Sequence, residues 1–201
     1  MEVLLQVWNK LDRDYAGRRE LERIKTDFAL NQVYGIEIHD ILARICKINL
    51  LLHHDGHTNI EGDKSCLDTE FTKERLKLGK ENFNVVVGNP PFGDTIKEGD
   101  EDQLGKSSLE DFEVSAGRSQ IPSEHIIVEK SIKMLKDDGL LGLVLPDGVF
   151  NNQGELSNCP LLRNYLVKQG RVLAVVSLPD YAFRKSGAQN KTSILFFKKF
   201  N

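Results

Sequence analysis

Four consecutive residues, Asn89-Pro90-Pro91-Phe92, combine chemistry that an ordinary turn does not need. The two prolines fix two φ angles and remove two backbone donors. What remains is a set of acceptors, the Asn89 side-chain oxygen and the Pro90 carbonyl, with an aromatic face two residues on. An exocyclic amino group on a flat ring has two N–H donors and a face to stack, so such an array fits one. Held there, the nitrogen lone pair can be directed at an electrophile without any protein nucleophile. A proline turn after a buried strand accounts for the prolines, but not for Asn89 and Phe92 together.

The elements that must position these residues follow from periodicity. Val85-Val86-Val87 reads as a buried strand ending on Gly88. Upstream, residues 2–30 read as helical, with Val3, Leu4, Val7, Trp8 and Leu11 at helical spacing. A short strand, Gln32 to Ile38, carries Glu37 near its end. Ile38, Ile41, Ile45, Ile48 and Leu52 then form one apolar stripe on a helix. Residues 57–63 form a weak strand ending on Asp63. Residues 93–122 are polar, with four glycines, and read as one long mobile loop. Ser123 is a plausible N-cap, with Glu124 in the first turn of its helix. Val128, Ile132 and Leu135 mark the buried face of that helix, and Gly139 its stop. A strand through "LLGLVLP", a helix from Leu161 to Gln169, a strand "RVLAVVSLP", a loop through Gly187 and a strand "TSILFFKKF" complete the chain. Strands without in/out alternation, separated by helices, imply an α/β fold with a mostly parallel sheet covered on both faces. The last two strands are joined by a short loop, so one of them is expected to run antiparallel.

Ligands of such sheets bind outside the carboxyl ends of the strands. Glu37, Asp63, the Asn89–Phe92 turn, Pro146-Asp147 and Pro179 all stand there. Glu37 could accept from ribose hydroxyls. It could equally satisfy the start of the following helix. Asp63 could accept from an adenine amino group or simply shape a turn. Asp147 reads as a turn residue. His39, His53, His54 and His57 are clustered, but read as surface or helix-end residues, and no metal is expected.

Composition narrows the class. With 201 residues, 40% hydrophobic and 28% charged, the chain is long enough for one domain with a core. It has no apolar stretch of membrane-spanning length and no signal peptide. Cys46, Cys66 and Cys159 lack CxxC spacing, which favours a reducing, cytoplasmic setting. The net charge of -3 does not mark a nucleic-acid surface. Residues 93–122 hold eight acidic against three basic side chains, so this segment is not expected to clamp phosphates unaided.

"NVVVGNPPFG" resembles the (D/N/S)PP(Y/F/W) motif of S-adenosylmethionine-dependent amino-methyltransferases. The blocks "VYGIEIHDILARICKINLLLHHDG", "NIEGDKSCL", "FNVVVGNPPFG", "IKMLKDDGLLGLVLPDGVF" and "VVSLPDYAFRKSGAQNKTSILFFKK" occur in this order. Together they resemble adenine-N6 DNA methyltransferase (M) subunits of type I restriction-modification systems over essentially residues 30–199. The resemblance implies a Rossmann-like methyltransferase sheet, mostly parallel with one antiparallel strand near the C-terminus. It implies DNA as substrate, S-adenosylmethionine as cofactor, and specificity and restriction subunits as partners. Glu37 would hold the cofactor ribose, Ile38 would pack on its adenine, and Asp63 would bond the adenine amino group. Asn89 and Pro90 would hold the substrate N6, with Pro91 locking the turn, and Phe92 would stack on a flipped base. Phe183 matches the block that supplies a second aromatic wall, although an aromatic after a strand is as often core.

One departure stands out. The family's Asp-Pro-x-x-Gly-x-Gly-like loop and the strand before it find no match ahead of Glu37. In the family's order that strand lies between the Glu37 and Val85 strands. Residues 1–201 are therefore expected to be a partial catalytic domain that binds S-adenosylmethionine weakly or not at all alone. Two other readings stay open at this stage. One is methylation of another amino group, RNA guanine N2 or protein glutamine. The other is a non-catalytic remnant or assembly module.

Overall fold

The computed structural model describes residues 2–52, 57–76, 83–180, 182–183 and 191–201. The chain divides into two compact units, residues 1–66 and 67–201. In the first, the helical stretch expected over 2–30 is two helices, α1 (Glu2–Asp14) and α2 (Leu21–Gln32). They are separated by a turn in which Gly17 has φ +76°, a conformation that costs glycine little and other residues more. Trp8 of α1 meets Phe28 of α2 edge-on, with ring centroids 5.5 Å apart. Then come β1 (Gly35–Glu37), α3 (Asp40–Leu52), a 3₁₀ turn (His57–Asn59) and β2 (Ile60–Gly62). β1 and β2 pair in parallel, with Gly35 opposite Ile60 and Glu37 opposite Gly62. The Asn59 side-chain amide ties the start of β2 to the end of α2 by donating to the carbonyls of Leu30 and Val33.

The apolar stripe of α3 does not lie inward as a core face. Only Ala43 and Leu50 of α3 are buried. Ile41, Ile45, Ile48 and Leu52 are exposed, Ile48 at 57%.

The second unit holds α4 (Thr69–Arg75), β3 (Phe83–Gly88), β4 (Thr95–Lys97), α5 (Glu101–Leu104), β5 (Gln120–Pro122), α6 (Ser123–Lys133) and β6 (Leu135–Pro146). It continues with α7 (Gly148–Asn151), α8 (Cys159–Gln169), β7 (Gly170–Ser177) and β8 (Thr192–Lys199). The strand order is β3-β6-β8-β7. β3 and β6 are parallel, and β8 runs antiparallel to both β6 and β7. Three strands thus share one direction and β8 opposes them, as the short loop before it implied. The loop through Gly187 lies outside the described residues, and so do His53 and His54.

Side chains alternate between the faces of a sheet, so the register assigns each face. On one face Leu141 lies opposite Phe197 and Leu143 opposite Leu195. These four, with Leu145, are at most 2% exposed. The buried side chains of α6 and α8, among them Ile126, Ile132, Leu162 and Leu166, complete this core. The opposite face carries Val85 opposite Leu140, and Val87 and Phe196 on either side of Gly142. Here the expectation of a sheet covered on both faces fails. Val85 and Val87 are 53% and 60% exposed, and Leu140 and Phe196 are exposed beside them. β3 is also an edge strand among the described residues, since β6 is its sole ladder partner.

Residues 93–122, read from sequence as one loop, carry β4, α5, β5 and two 3₁₀ turns, Leu109–Asp111 and Glu113–Ser115. β4 and β5 form a two-stranded antiparallel ladder. Ile96, Leu104, Leu109, Phe112, Val114 and Ile121 are buried there. The second turn is fastened to α6 by Glu129. Its fully buried carboxylate accepts from the Glu113 and Val114 N–H groups at 3.0 and 2.9 Å and pairs with Lys133 at 2.6 Å. α6 ends at Lys133, six residues before the expected stop at Gly139, because β6 already begins at Leu135. No helix among the described residues is long and apolar enough to cross a membrane.

Candidate active site

Asn89 follows Gly88, the last residue of β3, which lies opposite Leu143 of β6. The turn therefore sits at the carboxyl end of two adjacent parallel strands, where such sheets place ligands. Asn89 is exposed, Pro90 buried, Pro91 exposed and Phe92 half-buried. The Phe92 ring meets Phe183 edge-on, with centroids 6.2 Å apart and planes at 83°. The structure thus brings together the two aromatic residues singled out from sequence, although 91 positions separate them in the chain. Gly93 has φ +81° and swings the chain into β4.

The turn is held from one side by the start of α6. The Ser123 hydroxyl donates to the Pro91 carbonyl at 3.1 Å, and the Ser123 N–H donates to the Asp94 carbonyl at 2.9 Å. Ser123 is not an N-cap: the start of α6 has no side-chain cap bond. Beside it, Glu124 is 8% exposed, and its Oε2 is buried without a hydrogen-bond partner. Burial raises the pKa of this carboxyl above the ordinary value, and Asp94 pushes the same way. Its own N–H first, and the Gly93 N–H after it, oppose that rise. The next residue, His125, is 1% exposed, with Nε2 3.7 Å from the Cys159 sulfur and Nδ1 unpartnered. Burial first, and the Arg118 guanidinium second, hold its pKa down to about 4. Sequence reading missed the roles of Ser123 and Glu124. Their signal, a Ser-Glu pair at a helix start, has the form of a cap.

Asp147 has a structural part. Its Oδ1 accepts from the Ser193 hydroxyl at 2.6 Å, and its N–H donates to the Lys191 carbonyl, tying the end of β6 to the start of β8.

In the first unit, Glu37 ends β1 opposite Gly62, and Asp63 follows directly. Two carboxylates therefore stand at adjacent ends of parallel strands. Glu37 Oε1 accepts from the His39 N–H at 2.9 Å, so one of its oxygens satisfies the helix start. Asp63 is exposed at φ +58°, a turn conformation, and Ile38 is half-buried. His39 is exposed, and among the described residues no three His, Cys, Asp or Glu side chains converge as metal ligands would. The candidate residues thus form two groups, Glu37 with Asp63 in one unit and Asn89–Phe92 with Phe183 in the other.

Residues 11–201 match the N-6 DNA Methylase family. The chain is 27% identical over 168 residues to the EcoEI methylase subunit, a type I restriction enzyme subunit of Escherichia coli, covering 84% of this chain and 30% of that one. It is 28% identical over 178 residues to the MpnII methylase subunit of Mycoplasma pneumoniae, covering 87% and 32%. It therefore spans about a third of the length of these curated relatives. In fold it is similar to a modification subunit attributed to a type I restriction enzyme of Vibrio vulnificus, with a TM-score of 0.70 at 18% identity over 98% of this chain and 37% of that one. The chain belongs to the N-6 DNA methylase family, and methylase subunits of type I restriction enzymes are among the relatives it resembles.

Proposed function

We propose that this chain contributes to transfer of a methyl group from S-adenosylmethionine to N6 of an adenine flipped out of DNA, within a restriction-modification system. The observation that supports this reading is the Phe92–Phe183 ring pair beside the donor-free Asn89-Pro90 turn at the end of β3. An adenine must leave the duplex before N6 can be reached, because pairing and stacking otherwise engage it. Phe92 stacks on the extruded base and Phe183 bounds it. The Asn89 oxygen and the Pro90 carbonyl accept hydrogen bonds from the two N6 N–H groups and aim the lone pair. As the nitrogen gains positive charge, these bonds strengthen, since charge-assisted hydrogen bonds are roughly twice as strong as neutral ones. Pro90 and Pro91 keep competing N–H donors out of the site.

Glu37 and Asp63 offer acceptors alone, and the ribose hydroxyls and adenine amino group of S-adenosylmethionine are donors, so the residues fit that cofactor. Glu37 would take the ribose, Asp63 the amino group, and Ile38 the adenine face. The cofactor supplies an electrophilic methyl group on its sulfonium sulfur. The chain's net charge of -3 supports a division of labour in which a specificity subunit supplies phosphate contacts, with a restriction subunit in the same assembly.

Tritium transfer from labelled S-adenosylmethionine tests the reading, with duplex DNA, RNA and protein offered in parallel to the purified chain and to its assembly with the other subunits. Label at N6 of adenine in DNA is expected. Asn89→Ala should lower that transfer on the order of a hundredfold, by analogy with loss of one transition-state hydrogen bond. Label in RNA or protein alone, or wild-type turnover in Asn89→Ala, would defeat the reading.

A further inference from the structure

Phe92 lies between two peptide groups, and both face the first two residues of α6. On its N-terminal side, the Pro91 carbonyl accepts from the Ser123 hydroxyl at 3.1 Å. On its C-terminal side, the Gly93 N–H is one of the groups that favour the charged Glu124 carboxylate, behind Glu124's own N–H. One peptide further on, the Asp94 carbonyl accepts from the Ser123 N–H at 2.9 Å. The φ and ψ of a residue are the rotations between its two flanking peptide planes. Anchoring both planes therefore fixes the direction of the Phe92 side chain. Proline rings restrict the backbone up to Pro91, but nothing in the covalent chain restrains Phe92 and Gly93. Gly93, at φ +81°, is the most permissive position of the turn. The restraint there has to come from outside.

Glu124 is suited to supply it. A carboxyl this deeply buried is costly unless its environment uses it, and the one ion-pairing role open to a residue in a first turn, favouring the helix N-terminus, is served equally well by an exposed side chain. Its Oε2 makes no hydrogen bond, so the position does not maximise hydrogen bonding for the helix.

We propose that Ser123 and Glu124 are positioning residues of the candidate site: together they clamp the Pro91–Gly93 backbone and so hold the Phe92 ring against Phe183 at the angle a base requires. The inference rests on the reading of Asn89–Phe92 as the binding site of an amino group. A flipped base stacked on Phe92 then meets a wall whose orientation is set before the base arrives, and binding does not have to order it.

The test reads the loop as well as the reaction. In the isotopically labelled full chain, hydrogen exchange of the Gly93 amide and the cross-ring contact between Phe92 and Phe183 are followed by NMR. Wild type is compared with Ser123→Ala, Glu124→Ala and Glu124→Gln, and a urea midpoint for each separates loop release from global unfolding. Glu124→Ala should speed Gly93 exchange by about tenfold or more, as expected for a locally opened amide, and should weaken the ring contact. Glu124→Gln keeps an acceptor and should restore both. Ser123→Ala should weaken the ring contact by freeing the Pro91 carbonyl, and it carries the test should Glu124→Ala fail to fold. In the assembled methylase, Ser123→Ala and Glu124→Ala should lower kcat by roughly ten- to a hundredfold with the cofactor KM unchanged, the cost of a misplaced reactant, and Glu124→Gln should recover it. Unchanged Gly93 exchange and ring contact in the alanine variants, or equal loss in Glu124→Gln and Glu124→Ala, overturns the clamp. A chain that holds Phe92 as described but transfers nothing to adenine refutes the functional reading and leaves the clamp standing.

Discussion

Glu124 and His125 are neighbours in one helical turn, both nearly fully buried, and they titrate against each other's interest. Burial raises the Glu124 pKa, so its neutral form suits the fold: the stability it contributes is full below the ordinary carboxylate pKa and is lost as pH rises through the raised value. His125 falls from 6.5 to about 4, so its neutral form also suits the fold, with the opposite slope. Its contribution is present above 6.5 and is lost as pH falls toward 4. That shift corresponds to on the order of 3 kcal/mol. Urea midpoints measured from about pH 4 to 8 should separate the two. His125→Gln should flatten the acid side of the profile, and Glu124→Gln the side toward neutrality. A His125→Gln profile as steep as wild type below 6.5 would show that another group sets the acid limb. Neither residue announces this in the sequence, where "SEHIIVEK" shows a polar helix start and nothing of the chain that covers it.

At the scale of elements, one side chain fastens the second 3₁₀ turn of the 93–122 segment to α6. Glu129 is fully buried, and it accepts from the N–H groups of Glu113 and Val114. Glu129→Ala leaves two donors without their partner, each worth roughly 1–3 kcal/mol when buried. A loss of about 2–4 kcal/mol in urea unfolding is expected, with amide exchange rising first at Val114. A loss under about 0.5 kcal/mol, the ordinary surface value, would mean the turn is held otherwise. The strands β3, β6, β7 and β8 were legible because each is a run of β-branched and other apolar residues bounded by glycine, proline or polar punctuation. The 93–122 elements were not. Their buried residues, Ile96, Leu104, Leu109, Phe112, Val114 and Ile121, are spaced by 8, 5, 3, 2 and 7 positions, which matches neither a helix nor a strand period. The helix expected to stop at Gly139 ends earlier for a related reason. Leu135 continues the helical spacing, yet lies opposite Phe83 as the first residue of β6. The candidate turn itself was readable because its residues adjoin in sequence, and the Phe92–Phe183 pairing followed from the family resemblance. The grip of α6 on that turn links positions about 30 apart, and local pattern holds no trace of it.

For the whole molecule, the informative feature is apolar surface that each unit leaves open. Val85-Val86-Val87 reads as a strand buried on both sides, and in a sheet covered on both faces it would be one. A run of valines cannot distinguish that from a strand with one covered face, because apolar residues tolerate either environment. In the second unit Val85, Val87, Leu140 and Phe196 share the open face. In the first, Ile41, Ile45, Ile48 and Leu52 line α3 in the same exposed state. Single exposed apolar residues are ordinary, but contiguous patches of this kind mark surfaces that associate. β3 also lacks the charges and prolines that usually blunt an edge strand. The purified chain should therefore bind an apolar dye such as ANS and sediment with a concentration-dependent rate. Replacing Val85 and Val87 together by threonine keeps both residues β-branched, and so keeps the strand's conformational preference. It removes apolar surface from the open face alone, since Val86 points the other way, opposite Leu141. The double variant should bind less dye and self-associate more weakly while its urea midpoint stays within about 0.5 kcal/mol of wild type. A large loss of stability instead would mean that this face is already buried in the free chain. In that case the sheet would be covered on both sides, as the unbroken valine run first implied.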